Sequence, residues 1–153
     1  MAKDAIALLK DDHETVKKLL KKLTETTTRA TKKRQDLLGK IAKELEIHTT
    51  IEEEIFYPAF KAADGKEHDV LNYEAIEEHR AVDKLVLPDL QKTDPGTDQF
   101  SGRAKVLREL VEHHADEEEE SMFPKARKTL SKTKLKELGS KMEERKSELK
   151  KKL

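Results

Sequence analysis

Apolar residues recur every three or four positions along most of this chain, with charged residues between them. In the first such stretch, from about Asp4 to about Thr27, the apolar positions are Ile6, Leu9, Val16, Leu20 and Leu23. This alternating spacing places side chains on one face of an α-helix. The pattern therefore predicts an amphipathic helix with Asp4 as its N-cap.

Three further stretches, at about residues 32–63, 67–91 and 99–128, show the same period and are separated by short turns. Pro58 lies inside the first of them and is expected to bend that helix or loosen its last turns, because its ring removes one backbone donor. Four helices of similar length joined by short links predict an all-α fold, an up-down-up-down four-helix bundle.

The last stretch, residues 131–153, predicts an additional, basic C-terminal helix. Its thin apolar face consists of Leu135, Leu138, Met142 and Leu149. We expect this helix to lie on the bundle or to extend past it. A basic arm for nucleic acid or an acidic partner is the alternative, but interspersed glutamates dilute its positive field. The predicted organisation is a domain of residues 1–130 followed by the C-terminal helix.

The chain also contains an internal repeat. Pro58 and Pro124 are 66 residues apart, and each follows a His-x-x-x-Glu motif, a run of acids and two bulky apolar residues. The same shift pairs His13 with His79, His48 with His114, and Glu52 with Glu118. A two-helix repeat predicts a pseudo-two-fold axis along the bundle.

These six paired residues occupy positions on the apolar faces of the predicted helices. A histidine and a glutamate four residues apart project from one face, roughly 5.4–6 Å from each other. Burying two carboxylates without compensating charge would cost several kcal/mol or force them to bind protons. Two divalent cations remove that cost, and mixed imidazole and carboxylate ligation suits iron, manganese and zinc. The predicted metal ligands are His13, His48, Glu52, His79, His114 and Glu118.

The acids and histidines next to these six fall at other positions around their helices, away from the centre of the apolar face. Four acids are expected to point away from the apolar faces: Glu53, Glu54, Glu117 and Glu120. Glu119 is a further candidate ligand, since a local change of helix pitch would exchange it with Glu118. His68 and His113 are expected at the surface.

Composition narrows the class of protein. Because the formal net charge is zero, no overall field favours nucleic acid or an anionic membrane. The absence of cysteine excludes disulfides, thiolate ligands and a cysteine nucleophile. There is no Glu-x-x-His motif of ferritin-like bundles and no Gly-rich phosphate loop. The chain has no apolar run of membrane length, so a cytoplasmic protein is expected.

The six residues and their spacing resemble the hemerythrin-like HHE cation-binding family over about residues 5–128. The resemblance implies a non-haem diiron centre with an oxo or hydroxo bridge, in which Glu52 and Glu118 bridge the irons and the four histidines are terminal ligands. Oxygen-carrying hemerythrins have a fifth histidine where this chain has Asp83, and their last carboxylate corresponds to Glu119. The closer likeness is to symmetric four-histidine, two-glutamate members of the family. This likeness implies a centre suited to redox turnover and not to reversible oxygen carriage. Asp83 is then either a fifth protein ligand or an acceptor for a histidine N–H.

The resemblance implies that the diiron centre binds or reduces O2, hydrogen peroxide or NO, with peroxidase-like or catalase-like turnover as the enzymatic version. The alternatives are a sensor of oxygen, NO or iron without turnover, and simple iron buffering. Tyr57 and Tyr73 are candidates to hydrogen-bond a bound oxygen species, and the alternative role for both is packing. The expected partner is a small diatomic ligand or peroxide, without nucleic acid or membrane, and the expected assembly is a monomer or weak homodimer.

Overall fold

The computed structural model describes residues 3–153, which form five helices. Helix α1 is Ala5–Thr24, and α2 runs through Thr31–Ile51, Glu52–Phe56 and Tyr57–Asp64. Helix α3 runs through Asp69–Ala81, Val82–Val86 and Leu87–Gln91. Helix α4 runs through Asp98–Glu117, Glu118–Met122 and Phe123–Thr129, and α5 is Lys132–Lys152. Residues 1–2, with which the predicted domain begins, lie outside the described range.

Side-chain caps determine where three of these helices begin. The Asp4 carboxylate accepts a hydrogen bond from the Ala7 backbone N–H at 2.8 Å, so Asp4 is the N-cap of α1. Thr97 and Ser131 cap α4 and α5 in the same way. Each cap satisfies one of the backbone donors that a helix start leaves without an intrahelical partner.

Helices α2, α3 and α4 each contain one π-helical turn shortly before a proline. The three turns are Glu52–Phe56 before Pro58, Val82–Val86 before Pro88, and Glu118–Met122 before Pro124. In an α-helix the proline ring collides with the carbonyl four residues earlier. Here that carbonyl belongs to the π turn, whose wider spacing accommodates the ring. The second helix therefore continues past Pro58 to its end at Asp64.

Helices α1 to α4 form the up-down-up-down bundle, which confirms the predicted fold. Two apolar clusters fill it. One includes Ile6, Leu9, Ile51, Phe56 and Phe60, and the other includes Leu20, Leu23, Ile41, Leu90 and Phe100. Along each of these four helices, a buried histidine lies between members of the two clusters. The bundle core therefore consists of a polar layer with an apolar cluster on either side.

Helix α5 lies on the bundle and packs against α1 and α2. Its four predicted apolar residues, Leu135, Leu138, Met142 and Leu149, are all buried in the first cluster. Helix α2 meets them with Ile47 and Ile51. These two residues lie beside the apolar face that the sequence predicts for this helix, which consists of Leu38, Ile41, Leu45, His48, Glu52 and Ile55. Gly139 lies so close to the first residues of the chain that an added Cβ would collide with the Lys3 carbonyl. The C-terminal helix is thus part of the core.

The start of α3 is rotated relative to the prediction. The helical period of this stretch in the sequence, Val70, Tyr73, Ile76 and His79, predicts Val70 and Tyr73 on the apolar face, but they are 79% and 57% exposed. The buried face is formed by Asn72, Ala75 and His79, whose spacings of three and four continue into the polar layer. Val70 and Tyr73 lie on the opposite side of the helix, so their predicted burial is wrong.

Arg34 joins two loops at the end of the bundle remote from α5. It is 1% exposed and donates hydrogen bonds to the Thr26 carbonyl at 3.1 Å, the Pro95 carbonyl at 2.7 Å and the Ser101 hydroxyl at 2.8 Å. Its guanidinium also lies 4.9 Å from the centre of the Phe100 ring. Such a buried cation holds the α1–α2 and α3–α4 connections together.

None of the helices in the described part of the chain combines the length and apolarity needed to cross a bilayer.

Candidate metal centre

All four bundle helices contribute side chains to the buried polar layer. Helix α1 supplies His13, α3 supplies His79, α2 supplies His48 and Glu52, and α4 supplies His114 and Glu118. Each of the six is 9% exposed or less, and Glu52 is completely buried. The structure therefore brings all six predicted ligand residues together in one layer.

Their inward-facing atoms form two groups that share Glu52. One group contains His13, His48, Glu52 and Glu118; the other contains Glu52, His79 and His114, and within each the ligand atoms lie within 4.8 Å of one another. The Nε2 atoms of His48 and His79 both lie 3.1 Å from Glu52 Oε1. Glu118 Oε1 lies 3.1 Å from His13 Nε2 and 3.3 Å from His114 Nε2. These separations are those of neighbouring ligands around one cation.

Several inward-facing atoms form no hydrogen bond of good geometry with the residues that the structure describes, although they lie within ion-pair distance of one another. They include both carboxylate oxygens of Glu52 and Nε2 of His48. Buried polar atoms are nearly always satisfied, and leaving a charged one unpaired costs more than the usual 1–3 kcal/mol. Carboxylate oxygens and imidazole nitrogens converging in this way fit a divalent cation, which would satisfy all of them at once.

The outward-facing Nδ1 atom of each of the four histidines in the layer contacts a carboxylate from a neighbouring helix. The four pairs are His13 with Glu119 at 2.8 Å, His48 with Asp12 at 3.0 Å, His79 with Glu53 at 2.8 Å, and His114 with Glu78 at 2.7 Å. When Nδ1 donates to a carboxylate, Nε2 is left with its lone pair facing inward. All four histidines are therefore held in the orientation of metal ligands.

The four outer carboxylates follow the same repeat as the six inner residues. Asp12 and Glu78 are 66 residues apart, and so are Glu53 and Glu119. Sequence analysis missed Asp12 and Glu78, and it set Glu53 aside because Glu53 lies off the apolar face. Their signal was the repeat itself, since each adjoins a predicted ligand in both copies.

Two predicted additional ligands lie outside the two ligand groups. Glu119 contacts the outer nitrogen of His13, so its carboxylate acts from behind the ring. Asp83 is half-buried and belongs to neither group, although burial raises the pKa of its carboxyl group above the ordinary value. Of the two tyrosines, Tyr73 lies at the surface, where its hydroxyl accepts a hydrogen bond from Lys61 at 3.0 Å, so its predicted place near the site is wrong.

Tyr57 does reach the polar layer. Its hydroxyl donates to Glu118 Oε2 at 2.8 Å and lies 3.4 Å from Nε2 of both His79 and His114. Its repeat counterpart is Phe123. The Phe123 ring stacks on His13 with 5.9 Å between ring centres, as the Tyr57 ring stacks on His79 with 5.6 Å between ring centres. The two halves of the layer thus share their aromatic packing but differ by one hydroxyl group.

Electrostatics in the layer are dominated by these contacts. Burial lowers the pKa of His48, but Glu52 and Asp12 outweigh it and raise the pKa to about 10. Burial likewise lowers the pKa of His114, yet Glu118 brings it well above the ordinary value. Burial favours protonated Glu52, whereas His48 holds the pKa of that carboxyl well below its usual range. Protons on His48 and His114 therefore neutralise the carboxylates, a role that a bound cation can take over.

A cavity of about 40 Å³ adjoins the four histidines. It is lined by the histidines, by Asp12, Val16, Leu45 and Thr49 with their repeat counterparts, and by Asp83. The counterpart of Asp83 is Lys17, which instead forms an ion pair with Asp116 at 2.7 Å. The cavity has space for a molecule the size of O2 or hydrogen peroxide.

A helical bundle with this buried histidine and carboxylate layer defines a class of cation-binding proteins. The model of the hemerythrin HHE cation-binding domain matches residues 4–126, and the chain belongs to that family. HHE domains bind metal cations, and the buried groups described above are able to hold one.

Individual proteins of known sequence or structure are similar to this chain. The uncharacterized protein Rv2633c of Mycobacterium tuberculosis is 32% identical over 140 residues, 91% of this chain and 83% of that protein. The crystal structure of an HHE cation-binding domain-containing protein from Mycobacterium kansasii, an Rv2633c homolog, matches with a TM-score of 0.83 and 31% identity, covering 96% of this chain and 87% of that one. A DNA nickase from Nostoc sp. is 25% identical over 146 residues, which is 95% of this chain and 40% of the nickase.

Proposed function

We propose that the polar layer holds two iron ions and that the protein binds or reduces O2, hydrogen peroxide or NO there. One position uses His13, His48, Glu52 and Glu118, and the other uses Glu52, His79 and His114 with Glu118 beside His114. The observation that carries this proposal is the completely buried Glu52, which is common to both groups and whose Oε1 lies 3.1 Å from Nε2 of both His48 and His79. Mixed imidazole and carboxylate ligands support iron, and manganese or zinc would fit the same donors.

When bound, iron supplies redox chemistry and an open coordination position for a small ligand. The chain's own residues supply orientation, a proton donor and space. The outer carboxylates fix the histidine rings, and the Tyr57 hydroxyl donates to Glu118 and lies 3.4 Å from Nε2 of both His79 and His114. The adjoining cavity of about 40 Å³ offers space for a reactant of a few atoms. These features support a catalase-like reaction, in which two peroxide molecules give one O2 and two waters without an external reductant.

A second candidate function is a sensor of oxygen, NO or iron that does not turn over. It is favoured by the contact of α5 with the layer, since Lys146 of that helix reaches the Asp12 carboxylate behind His48. A change in the oxidation state or bound ligand of the metal ion at His48 would then alter the contact between Asp12 and Lys146, on the outer side of the bundle. Small ligands are the proposed partners in both cases, and the proposed location is the cytoplasm.

The test is steady-state consumption of hydrogen peroxide by protein loaded with ferrous iron, with the metal content measured in the same sample. Catalase-like function predicts two irons per chain and oxygen release well above that of the same concentration of free iron. Two irons per chain without turnover, together with a reversible spectral change on exposure to O2 or NO, would select the sensor. Loss of iron on gel filtration would contradict both candidates.

A further inference from the structure

Helix α5 lies beyond the matched family domain, residues 4–126, but it extends to the metal layer. The Lys146 ammonium lies 2.5 Å from Asp12 Oδ1, and Asp12 Oδ2 lies 3.0 Å from His48 Nδ1. The Lys146 side chain is 18% exposed and that of Asp12 is 7% exposed. A chain of three buried or nearly buried polar groups therefore connects the C-terminal helix to a proposed ligand.

The position of Lys146 is set by the packing of its helix. Met142, one turn earlier, is completely buried, and Gly139 fits closely against the backbone of Lys3. Next to Lys146, the Arg145 guanidinium donates to both oxygens of Glu54 on α2, at 2.8 and 3.2 Å. Lys146 is thus held from both sides, so it can in turn hold Asp12 in one rotamer.

The three other outer carboxylates lack such a cation among the residues described. Glu78, the repeat counterpart of Asp12, has His113 at 3.7 Å, and that imidazole is 68% exposed. The side chains of Glu53 and Glu119 are 38% and 30% exposed, and each contacts its own histidine. Asp12 is the most buried of the four and the one in contact with an ammonium group. The repeat is therefore broken at this point by the C-terminal helix.

We propose that Lys146 is a positioning residue for the metal ion held by His13 and His48, and that it makes the two metal positions inequivalent. This inference rests on the two-metal centre proposed above. The carboxylate behind a histidine ligand sets its ring orientation and basicity, and loss of such a partner commonly costs 10–100-fold in metal affinity. Lys146 acts one step further out, by fixing the Asp12 carboxylate and neutralising its charge inside the protein.

The experiment is a titration of the metal-free protein with Co2+, followed by visible absorption and by competition with a chelator. The absorption bands of Co2+ report the geometry of its ligands, and the competition gives a dissociation constant for each ion. The variants are Lys146→Met and, as a matched control, Lys150→Met. Lys150 is exposed and lies one turn further along the same helix, so both changes remove one positive charge.

Wild-type protein and Lys150→Met should bind two ions with the same spectra. Lys146→Met should weaken one of the two ions about tenfold and alter its absorption bands, while the other ion is unchanged. Lys146→Arg, which keeps a cationic donor, should restore most of the affinity. In protein that already carries Asp12→Asn, adding Lys146→Met should not weaken metal binding further. If Lys146→Met acted by loosening α5 in general, it would weaken metal binding in the Asp12→Asn protein as well.

Identical isotherms and spectra for Lys146→Met and Lys150→Met would overturn this inference and leave the metal centre standing. Equal weakening of both ions would also overturn it, because the proposal requires one position to respond. If the wild-type protein binds fewer than two ions, the proposed centre fails first and this inference falls with it. A melting curve for each variant, recorded without metal, identifies any that has failed to fold.

Discussion

Glu52 is the residue on which the two-metal proposal depends most, and Glu52→Gln tests it. The substitution keeps the shape of the side chain and removes its charge, at a completely buried position shared by both ligand groups. An amide is a poor ligand for iron or cobalt compared with a carboxylate, so both positions should weaken together. Glu118→Gln should weaken one position only, because Glu118 belongs to one ligand group. Its second oxygen already accepts a hydrogen bond from Tyr57.

The expected magnitude follows from linkage. An ion present at 1,000 times its dissociation constant stabilises the fold by about 4 kcal/mol. For a chain of this length each kcal/mol raises the melting temperature by about 2–4 °C, so each ion should raise it by roughly 8–16 °C. If the loss of Glu52 weakens each ion by roughly 1,000-fold, the gain at the same metal concentration falls to about 0.4 kcal/mol per ion.

The assay is thermal unfolding with and without metal, combined with metal content after gel filtration. Each variant is compared with its own metal-free form, so any effect of the Glu52→Gln substitution on the fold itself cancels. Glu46→Gln is the control, since Glu46 is exposed on the same helix. We expect near-complete loss of metal stabilisation for Glu52→Gln, one ion retained for Glu118→Gln, and wild-type behaviour for Glu46→Gln. Two ions bound by Glu52→Gln with a wild-type rise in melting temperature would refute the shared-ligand assignment.

Three further predictions concern single groups. Tyr57→Phe should fit the fold, as Phe123 does in the other half, but should lower the free energy of unfolding of the metal-free protein by about 1–2 kcal/mol, because Glu118 loses a donor; an unchanged denaturant midpoint would contradict this. Arg34→Met should lower the free energy of unfolding by about 3 kcal/mol, and the melting temperature by about 6–12 °C, because it leaves buried loop carbonyls unpaired. The metal content should not change. A smaller loss for Arg34→Met than for Arg34→Lys would argue against the pairing of these carbonyls by Arg34. The pKa of His48 is raised from 6.5 to about 10, so the metal-free protein should lose stability, on the order of a few kcal/mol, as the pH rises through that range. Metal affinity should rise over the same range because the ion displaces that proton, and a parallel fall of both would show the sign to be wrong.

The bundle and its inner layer were predictable because they depend on periodicity. The 66-residue repeat places His48 and His114, or Glu52 and Glu118, at equivalent points of two amphipathic helices, and only a buried layer accounts for both copies. The family match and the fold of its relative confirm the helices and the class of protein. The assignment of individual ligands remains the proposal that Glu52→Gln tests.

The four outer carboxylates were not predictable in the same way. Glu53 is off the apolar face of its own helix and functions by reaching a ring on another helix, so its role depends on how two helices are placed. The π turns add to the difficulty, because each shifts the residues beyond it by part of a turn. A consistent sign was present, however, since every π turn precedes a proline.

Lys146 and Arg34 show a further limit. Both are cations in strongly charged segments, where helical patterns assign them to solvent. Arg34 is buried because carbonyl groups of two loops converge on it, and Lys146 because its helix is held against α1 and α2. No local pattern distinguishes them from the neighbouring lysines.

The repeat has a consequence for the ancestry of the protein. Residues 1–66 contribute two histidines and one glutamate, and the next 66 residues contribute their equivalents. A symmetric dimer of one ancestral helix pair would therefore already contain every inner ligand and every outer carboxylate. A single gene duplication and fusion is enough to produce the present arrangement. Once both halves were in one chain, they could diverge separately, and the single hydroxyl of Tyr57 and the single ammonium of Lys146 are differences that no homodimer could have acquired on one side alone.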